Sequence, residues 1–365
     1  MGKIQGRTVE VDSLEEFDRL IAAGARSMRG WRLQDIDLTA RTDDLRELDP
    51  AGALFLGCSL ADEARLWLSD EGALVFPTIP ELPFDPYRTT LYTPEELYAE
   101  LSALGYDQTP DARVFAWSRQ LDQSATSEIS RALHDHAIGV ALVESLAGRR
   151  CVGVMGGHAV SRRSTAYTDA AALGRALAQA GLLVVTGGGP GAMEAANLGA
   201  YLAPYEDAAF GESLNFLSAV ESFRPSVTSW AQQAFDVKQR WPEGRTSVGI
   251  PTWFYGHEPP NAFASLVAKY FQNSLREDTL LRHCDVGIVF LPGAGGTVQE
   301  IFQDACENYY ADEATVATMV LVGTEYWTDA VPAWPLLQRL AADRPMGRRI
   351  HLVDSAGEAA ALLTR

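Results

Sequence analysis

Apolar residues recur at helical spacing over residues 127–148, where Ile129, Leu133, Ala137 and Val140 predict one face of a helix. A regular alternation follows. Residues 151–155 are an apolar run ending in Gly156-Gly157. Residues 168–180 carry Leu173 and Leu177 on one helical face, with Gly181 as a stop. Residues 182–186 read as a buried strand running into Gly187-Gly188-Gly189, and residues 192–202 as a helix. Further strands are predicted at 247–253, 286–291, 318–322 and 349–353, with helices at 297–310 and after the last strand. Strand, glycine turn and helix in series predict an α/β fold, a doubly wound, Rossmann-like parallel sheet with helices on both faces. Ligands in such sheets bind at the carboxyl ends of the strands, where these glycines fall. Residues 203–246 interrupt the alternation with a mostly helical insert.

Before residue 110 the pattern is irregular and proline-rich, as at 76–88. Two short apolar runs, 53–56 and 73–76, predict strands of a smaller N-terminal α+β accessory domain. No internal repeat is evident. The reading is therefore an accessory domain over 1–110 and a Rossmann-like domain over 111–365.

Composition narrows the function classes. Of 365 residues 47% are apolar, yet no stretch approaches the roughly 20 apolar residues that span a bilayer. The first residues lack an apolar secretory core, and Gly2 is followed by Gly6 where a myristoylation signal needs Ser or Thr. The expectation is a cytoplasmic protein with no membrane partner. Cys58, Cys151, Cys284 and Cys306 form no CxxC, which argues against a disulfide framework or zinc site. Cys151 and Cys284 lie in apolar runs and are predicted to be buried. A net charge of −18 argues against a nucleic-acid partner. It leaves room for a small phosphorylated ligand, since backbone N–H groups at a helix start hold phosphate inside an acidic protein.

Three glycine turns carry the candidate chemistry. The first is VTGGGPGAMEAANLGA at 185–200, with Gly187, Gly188, Gly189, Gly191, Met193 and Glu194 as candidate ligand contacts. It also fits the dinucleotide fingerprint loosely, but the acidic residue expected some 20 positions on is missing. A tight turn with no ligand is the plainer alternative. The second is FLPGAGGTVQEIFQDACENYY at 290–310, with Gly293, Gly295, Gly296, Thr297 and Glu300. Thr297 and Glu300 also fit a capping box, in which Glu300 only satisfies a backbone N–H. The third is Gly156-Gly157-His158, where His158 meets a phosphate or base, or is a surface turn residue. Pro259-Pro260 forbids helix and predicts Asn261 at the start of the next one. Arg276 and Arg282 follow, either of which suits a solvated helix face. His134 and His136 read as helix-surface residues, and no metal constellation is present.

The segments TGGGPGAMEAANLGA and PGAGGTVQE, in that order, resemble the paired motifs of the "Lonely Guy" phosphoribohydrolases. Relatives once labelled lysine decarboxylases share the pattern PGGxGTxxE. The wording TGGGPGAMEA, with EPPN at 258–261, is similar to bacterial nucleotide 5′-monophosphate nucleosidases. The resemblance covers roughly residues 150–365. It implies hydrolysis of a nucleoside 5′-monophosphate to free base and ribose 5-phosphate, a homodimer or larger assembly, and no cofactor or metal. By position it makes Glu300 the catalytic glutamate. With a one-residue slip it makes Arg276 the catalytic arginine. The chain departs from the pattern at Ala294, which replaces the second glycine, and at Gln299, where many members carry a second acid. Alanine there fails if the position needs positive φ.

The implied chemistry is consistent with these groups. Cleaving a ribosyl–base bond builds positive charge on the sugar, which a carboxylate stabilises while it orients a water. A guanidinium can fork onto phosphate or stabilise the departing base. Pyridoxal chemistry needs a Schiff-base lysine, and neither Lys238 nor Lys269 stands at a glycine loop. Two other readings stay open. One is a non-catalytic nucleotide sensor or molybdenum-cofactor-carrier-like protein. The other is the same hydrolysis on a cytokinin riboside 5′-monophosphate.

Overall fold

The computed structural model describes residues 9–120, 124–254 and 258–364. The readings made on Gly2 and Gly6 lie outside the described residues. The chain divides into two compact units, residues 1–90 with 123–141, and residues 91–122 with 142–365.

In the first unit four short strands lie side by side in chain order: β1 (Val9–Val11), β2 (Trp31–Gln34), β3 (Leu54–Leu56) and β4 (Leu74–Phe76). All neighbours are parallel. Helices Leu14–Ala22, Thr42–Arg46 and Asp62–Asp70 return the chain from each strand to the next. The last three strands are each entered from a glycine at positive φ, namely Gly30, Gly52 and Gly72. The Gly30 N–H donates to the Gly52 carbonyl and the Gly52 N–H to the Gly72 carbonyl, both at 3.1 Å. This is a strand–turn–helix repeat of roughly twenty residues, in which stacking buries a face that no single unit could bury alone. Phe17, Leu33, Phe55 and Leu68 form that core. Absence of repeats was the expectation from sequence, and the structure corrects it. Strands of three or four residues are too short to display a period of two, and the repeat length drifts from unit to unit. The accessory part is built of parallel strands alternating with helices.

The helix predicted at 127–148 runs from Ala125 to Leu146. Its buried side is set by Ser130, His134, Ile138 and Ala141, while Ile129 is exposed. His134 is therefore a core residue, with its ring edge-on to Phe84 at 5.2 Å, and burial lowers its proton affinity. This corrects the surface position expected for His134; His136 is exposed as expected.

The second unit is organised by a seven-stranded sheet in the order β11-β10-β9-β5-β6-β7-β8, parallel throughout. Its strands are β5 (Cys151–Met155), β6 (Leu183–Thr186), β7 (Val248–Gly249), β8 (Leu266–Val267), β9 (Gly287–Phe290), β10 (Met319–Val322) and β11 (Ile350–Val353). β5, β6 and β9 are buried at every position, as sheet strands covered on both faces must be. Cys151 and Cys284 are buried, as expected. Helices Thr165–Gln179, Ala192–Tyr201 and Ala356–Leu363 pack together, and Asn273–Arg282, Gly295–Tyr310 and Ala333–Ala341 form a separate group. This is the doubly wound arrangement. The insert is helical, at Asp207–Leu217 and Val227–Arg240.

The first glycine motif also has a packing task. A Cβ on Gly174 or Gly199 would lie 2.0 or 1.8 Å from a carbonyl oxygen of the facing helix. The backbones of Thr165–Gln179 and Ala192–Tyr201 thus touch directly, and the NLGA part of the motif serves that contact. No helix among the described residues is long and apolar enough to cross a membrane.

Candidate functional site

The chain fills the sheet from β5 outward to β8, then returns to lay β9 on the other side of β5. The strand order therefore reverses between β5 and β9, and the crevice at the carboxyl ends of these strands is the favoured ligand position. Gly156 and Gly157 follow β5, and Gly293 to Gly296 follow β9. The two turns meet: the Gly157 N–H donates to the Pro292 carbonyl at 3.1 Å. The Gly187-Gly188-Gly189 turn follows the adjoining β6.

Two glycines show why these turns need no side chain. Gly191 caps the helix Ala192–Tyr201 at φ +72°, and a Cβ there would lie 2.5 Å from the Gly157 carbonyl oxygen. The β5 and β6 turns thereby lock together, with the Ala192 N–H donating to the same carbonyl at 3.1 Å. At Gly187 a Cβ would stand 2.5 Å from Nη2 of Arg276 and 2.7 Å from Sδ of Met193. A side chain here would push both the arginine and the thioether aside.

The helix Gly295–Tyr310 begins earlier than the capping-box reading required. Ala294 is its N-cap, so Thr297 is already inside the first turn and Glu300 in the second. Glu300 is thus not a capping residue. Ala294 has φ −98°, so the position does not need the left-handed conformation that would exclude alanine. Gly295 and Gly296 are exposed and have nothing within 4 Å of where a Cβ would stand, which leaves the helix start open to a ligand. Thr297 is buried beneath Gly293.

Glu300 and Arg276 come together across two helices. Arg276 Nη1 donates to Glu300 Oε1 at 3.3 Å, and its Nε donates to the Ile250 carbonyl at 2.8 Å. Glu300 is 6% exposed and Arg276 9%. Burial raises the Glu300 pKa to about 7, against the pull of Arg276 and with help from the charges of Glu277 and Glu258. A carboxyl at this value changes protonation across neutral pH. Arg282, the other candidate, is solvent-exposed and pairs with Asp278 at 2.8 Å.

Other predicted residues are placed differently. Asn261 does not start a helix; the next one begins at Asn273. Asn261 is fully buried and braces the β6 turn instead, donating to the Gly189 carbonyl at 3.1 Å and to Asn197 Oδ1 at 3.0 Å. Its own Oδ1 accepts from the N–H groups of Phe263 and Ala264. Glu194 is also turned inward. Arg162 grips both its carboxylate oxygens, and Trp230 donates to one of them at 3.3 Å. The pair ties the insert helix Val227–Arg240 to the helix Ala192–Tyr201, and losing either charge would cost about 3–5 kcal/mol. Met193 lies over Gly187 and Gly189. His158 is exposed and pairs with Glu258 at 3.4 Å.

Sequence reasoning missed Glu258, which reaches the edge of the β6 turn, 3.7 Å from a Cβ built on Gly189. It also missed the buried Glu277, and Asp304, whose pKa burial raises to about 8 one turn beyond Glu300. Charged residues in ordinary helical runs carry no local mark of burial. Lys269 is buried against Asp111 at 2.6 Å beneath the Trp253 ring, and Lys238 pairs with Glu95. A cleft of about 870 Å³, lined by Trp334, Arg344 and Arg348, opens at the amino-terminal edge of the sheet, away from the glycine turns.

No curated protein matches the sequence. Among solved structures, the molybdenum cofactor binding protein of the phototrophic bacterium Rippkaea orientalis is 16% identical, over 59% of this chain and 96% of that one, with a TM-score of 0.36. The molybdenum cofactor carrier protein of Chlamydomonas reinhardtii is 17% identical, over 60% of this chain and 99% of that one, with a TM-score of 0.36. Residues 149–204, which hold β5, β6 and their glycine turns, match the SLOG cluster4 family.

Proposed function

We propose that this protein hydrolyses the N-glycosidic bond of a nucleoside 5′-monophosphate, releasing free base and ribose 5-phosphate. The observation that carries the reading is a buried carboxyl, Glu300, paired with Arg276 one turn inside an open glycine helix start. The exposed turn at Gly295 and Gly296 supplies N–H groups for the phosphate. The Glu300 carboxylate faces the sugar carbon, stabilises its growing positive charge and orients the attacking water. Arg276 is already committed to Ile250 and Glu300, so it holds the carboxylate in place and leaves the phosphate to the glycine turns. The departing base leaves with the bonding electron pair and takes a proton; water supplies the hydroxyl to the sugar.

The test is incubation with a panel of nucleoside monophosphates, cytokinin ribotides included, and assay of free base and ribose 5-phosphate. Nucleosides lacking the phosphate should have kcat/KM at least about a hundredfold lower, equivalent to roughly 2.7 kcal/mol of anion holding. Equal values for adenosine and its monophosphate would refute the loop assignment. Tight binding across the panel without product would favour the carrier or sensor reading.

The reaction needs Glu300 ionised. Its pKa of about 7 places that ionisation at neutrality, so kcat/KM should fall about tenfold per pH unit below it and level off above. A flat profile from pH 5 to 8 would remove Glu300 from that role.

A further inference from the structure

We propose that Glu277 is a positioning residue, fixed by Asn273 and Gln299, that keeps Arg276 turned onto Glu300. Its consequence for turnover rests on the phosphoribohydrolase reading; its structural part does not.

Glu277 follows Arg276 on the helix Asn273–Arg282 and is only 2% exposed. A buried carboxylate is costly unless donors surround it. Here Asn273 Nδ2 donates to its Oε1 at 2.7 Å, and Gln299 Nε2 donates to its Oε2. A further neighbour is Arg276, whose Nη1 stands 3.8 Å from Glu277 Oε1 and 3.3 Å from Glu300 Oε1. One guanidinium nitrogen therefore serves two carboxylates. The Ile250 carbonyl holds the other edge of the fork through Nε. Between these contacts the guanidinium plane has one orientation, with Nη2 left toward Gly187.

The arrangement explains Gln299. An acid at that position would set two carboxylates face to face across the helix pair. The amide donates to Glu277 instead, so Gln299 and the buried Glu277 belong together. Gln299 precedes Glu300 on the helix Gly295–Tyr310, which links Glu277 to that helix beside the reacting group.

Among the described residues the charges facing Glu300 are Arg276 and Glu277 from the helix Asn273–Arg282 and Glu258 from the segment after β7. On its own helix Asp304 lies one turn on, where burial raises its pKa to about 8. Glu277 and Glu258 disfavour ionisation of Glu300, and Arg276 favours it. Removing the Glu277 charge should ease ionisation; adding one at 299 should oppose it.

The experiment follows the Glu300 side-chain carboxyl by carbon-13 NMR in the full-length protein, its signal identified by loss in Glu300→Gln. No substrate is needed. In Glu277→Gln the titration midpoint should fall by about one pH unit, and in Gln299→Glu it should rise by a similar amount. With the preferred monophosphate, Glu277→Gln should lower kcat about tenfold and change KM less than about threefold. Both the acid limb of the pH profile and the NMR midpoint should move together. Unmoved midpoints in the folded variants would overturn the proposal. Should Glu277→Gln not fold, the exposed Gln299→Glu reads the same contact alone, and an unmoved midpoint there also overturns it. Shifted midpoints in a protein that turns over no nucleotide would sink the hydrolase reading and leave the charge coupling between Glu277 and Glu300 standing.

Discussion

Glu300→Gln should abolish turnover, lowering kcat by at least about a thousandfold, while nucleotide affinity changes less than about threefold. Glutamine has the shape of the protonated glutamic acid and can still accept from Arg276. It cannot carry the negative charge that the sugar cation needs. The substitution also leaves the helix start intact, because the cap is Ala294 and no side-chain cap involves residue 300 among the described residues. Stability gives an independent check. The folded-state pKa of Glu300, about 7, lies above the ordinary 4.5. Protonation therefore favours the folded state, and this contribution is full below pH 4.5 and lost as pH rises through 7. Glutamine removes that dependence, so the variant should melt no lower than wild type at pH 8. Wild-type-like turnover would end the catalytic assignment. A collapse in melting temperature at pH 8 would show that Glu300 acts as a structural anion instead.

Arg276→Ala should lower kcat/KM at least about tenfold, equivalent to roughly 1.4 kcal/mol. The structure gives this prediction a reason beyond spacing. Without the guanidinium, Glu300 and Glu277 face each other in a buried site and the Ile250 carbonyl loses its donor. Stability should fall by about 3–5 kcal/mol, the usual penalty for leaving a buried charge alone. Arg276 lowers the Glu300 pKa, so its removal should also move the acid limb of the pH profile upward. Arg276→Lys should restore only part of the activity, since one ammonium cannot serve Ile250 and both carboxylates in a planar fork. Arg282→Ala is the matched control, an exposed charge paired with Asp278 on the same helix. Equal losses in the two alanine variants would mean that only the general positive field matters. Full activity in Arg276→Ala would displace it from the site.

The second unit was legible because its signals are local. A buried parallel strand must be apolar throughout, and a turn that approaches other backbone must be glycine. So β5, β6, β9 and their turns stand out one residue at a time, and β10 and β11 follow the same alternation. β8 and the segment around it did not, since a two-residue strand has no period, and Asn261 was read as a helix start where the chain runs on to β8. The repeats of the first unit were hidden for the same reason.

The amino-acid sequence by itself determined the glycine turns, their order and the place of Glu300 after the second of them, since each depends on residues adjacent in the chain; Arg276 entered only through the family resemblance. Only the tertiary structure decided what each polar group does. Thr297 and Glu300 fit a cap as well as a site until the helix proves to start at Gly295. Glu194 stands inside the glycine motif, yet its carboxylate belongs to Arg162 and Trp230, which come from distant parts of the chain. Glu277 and Gln299 look like ordinary helix residues and meet only because two helices pack side by side. A charge acquires its role from burial and from the donors around it, and both are set by contacts between residues far apart in sequence.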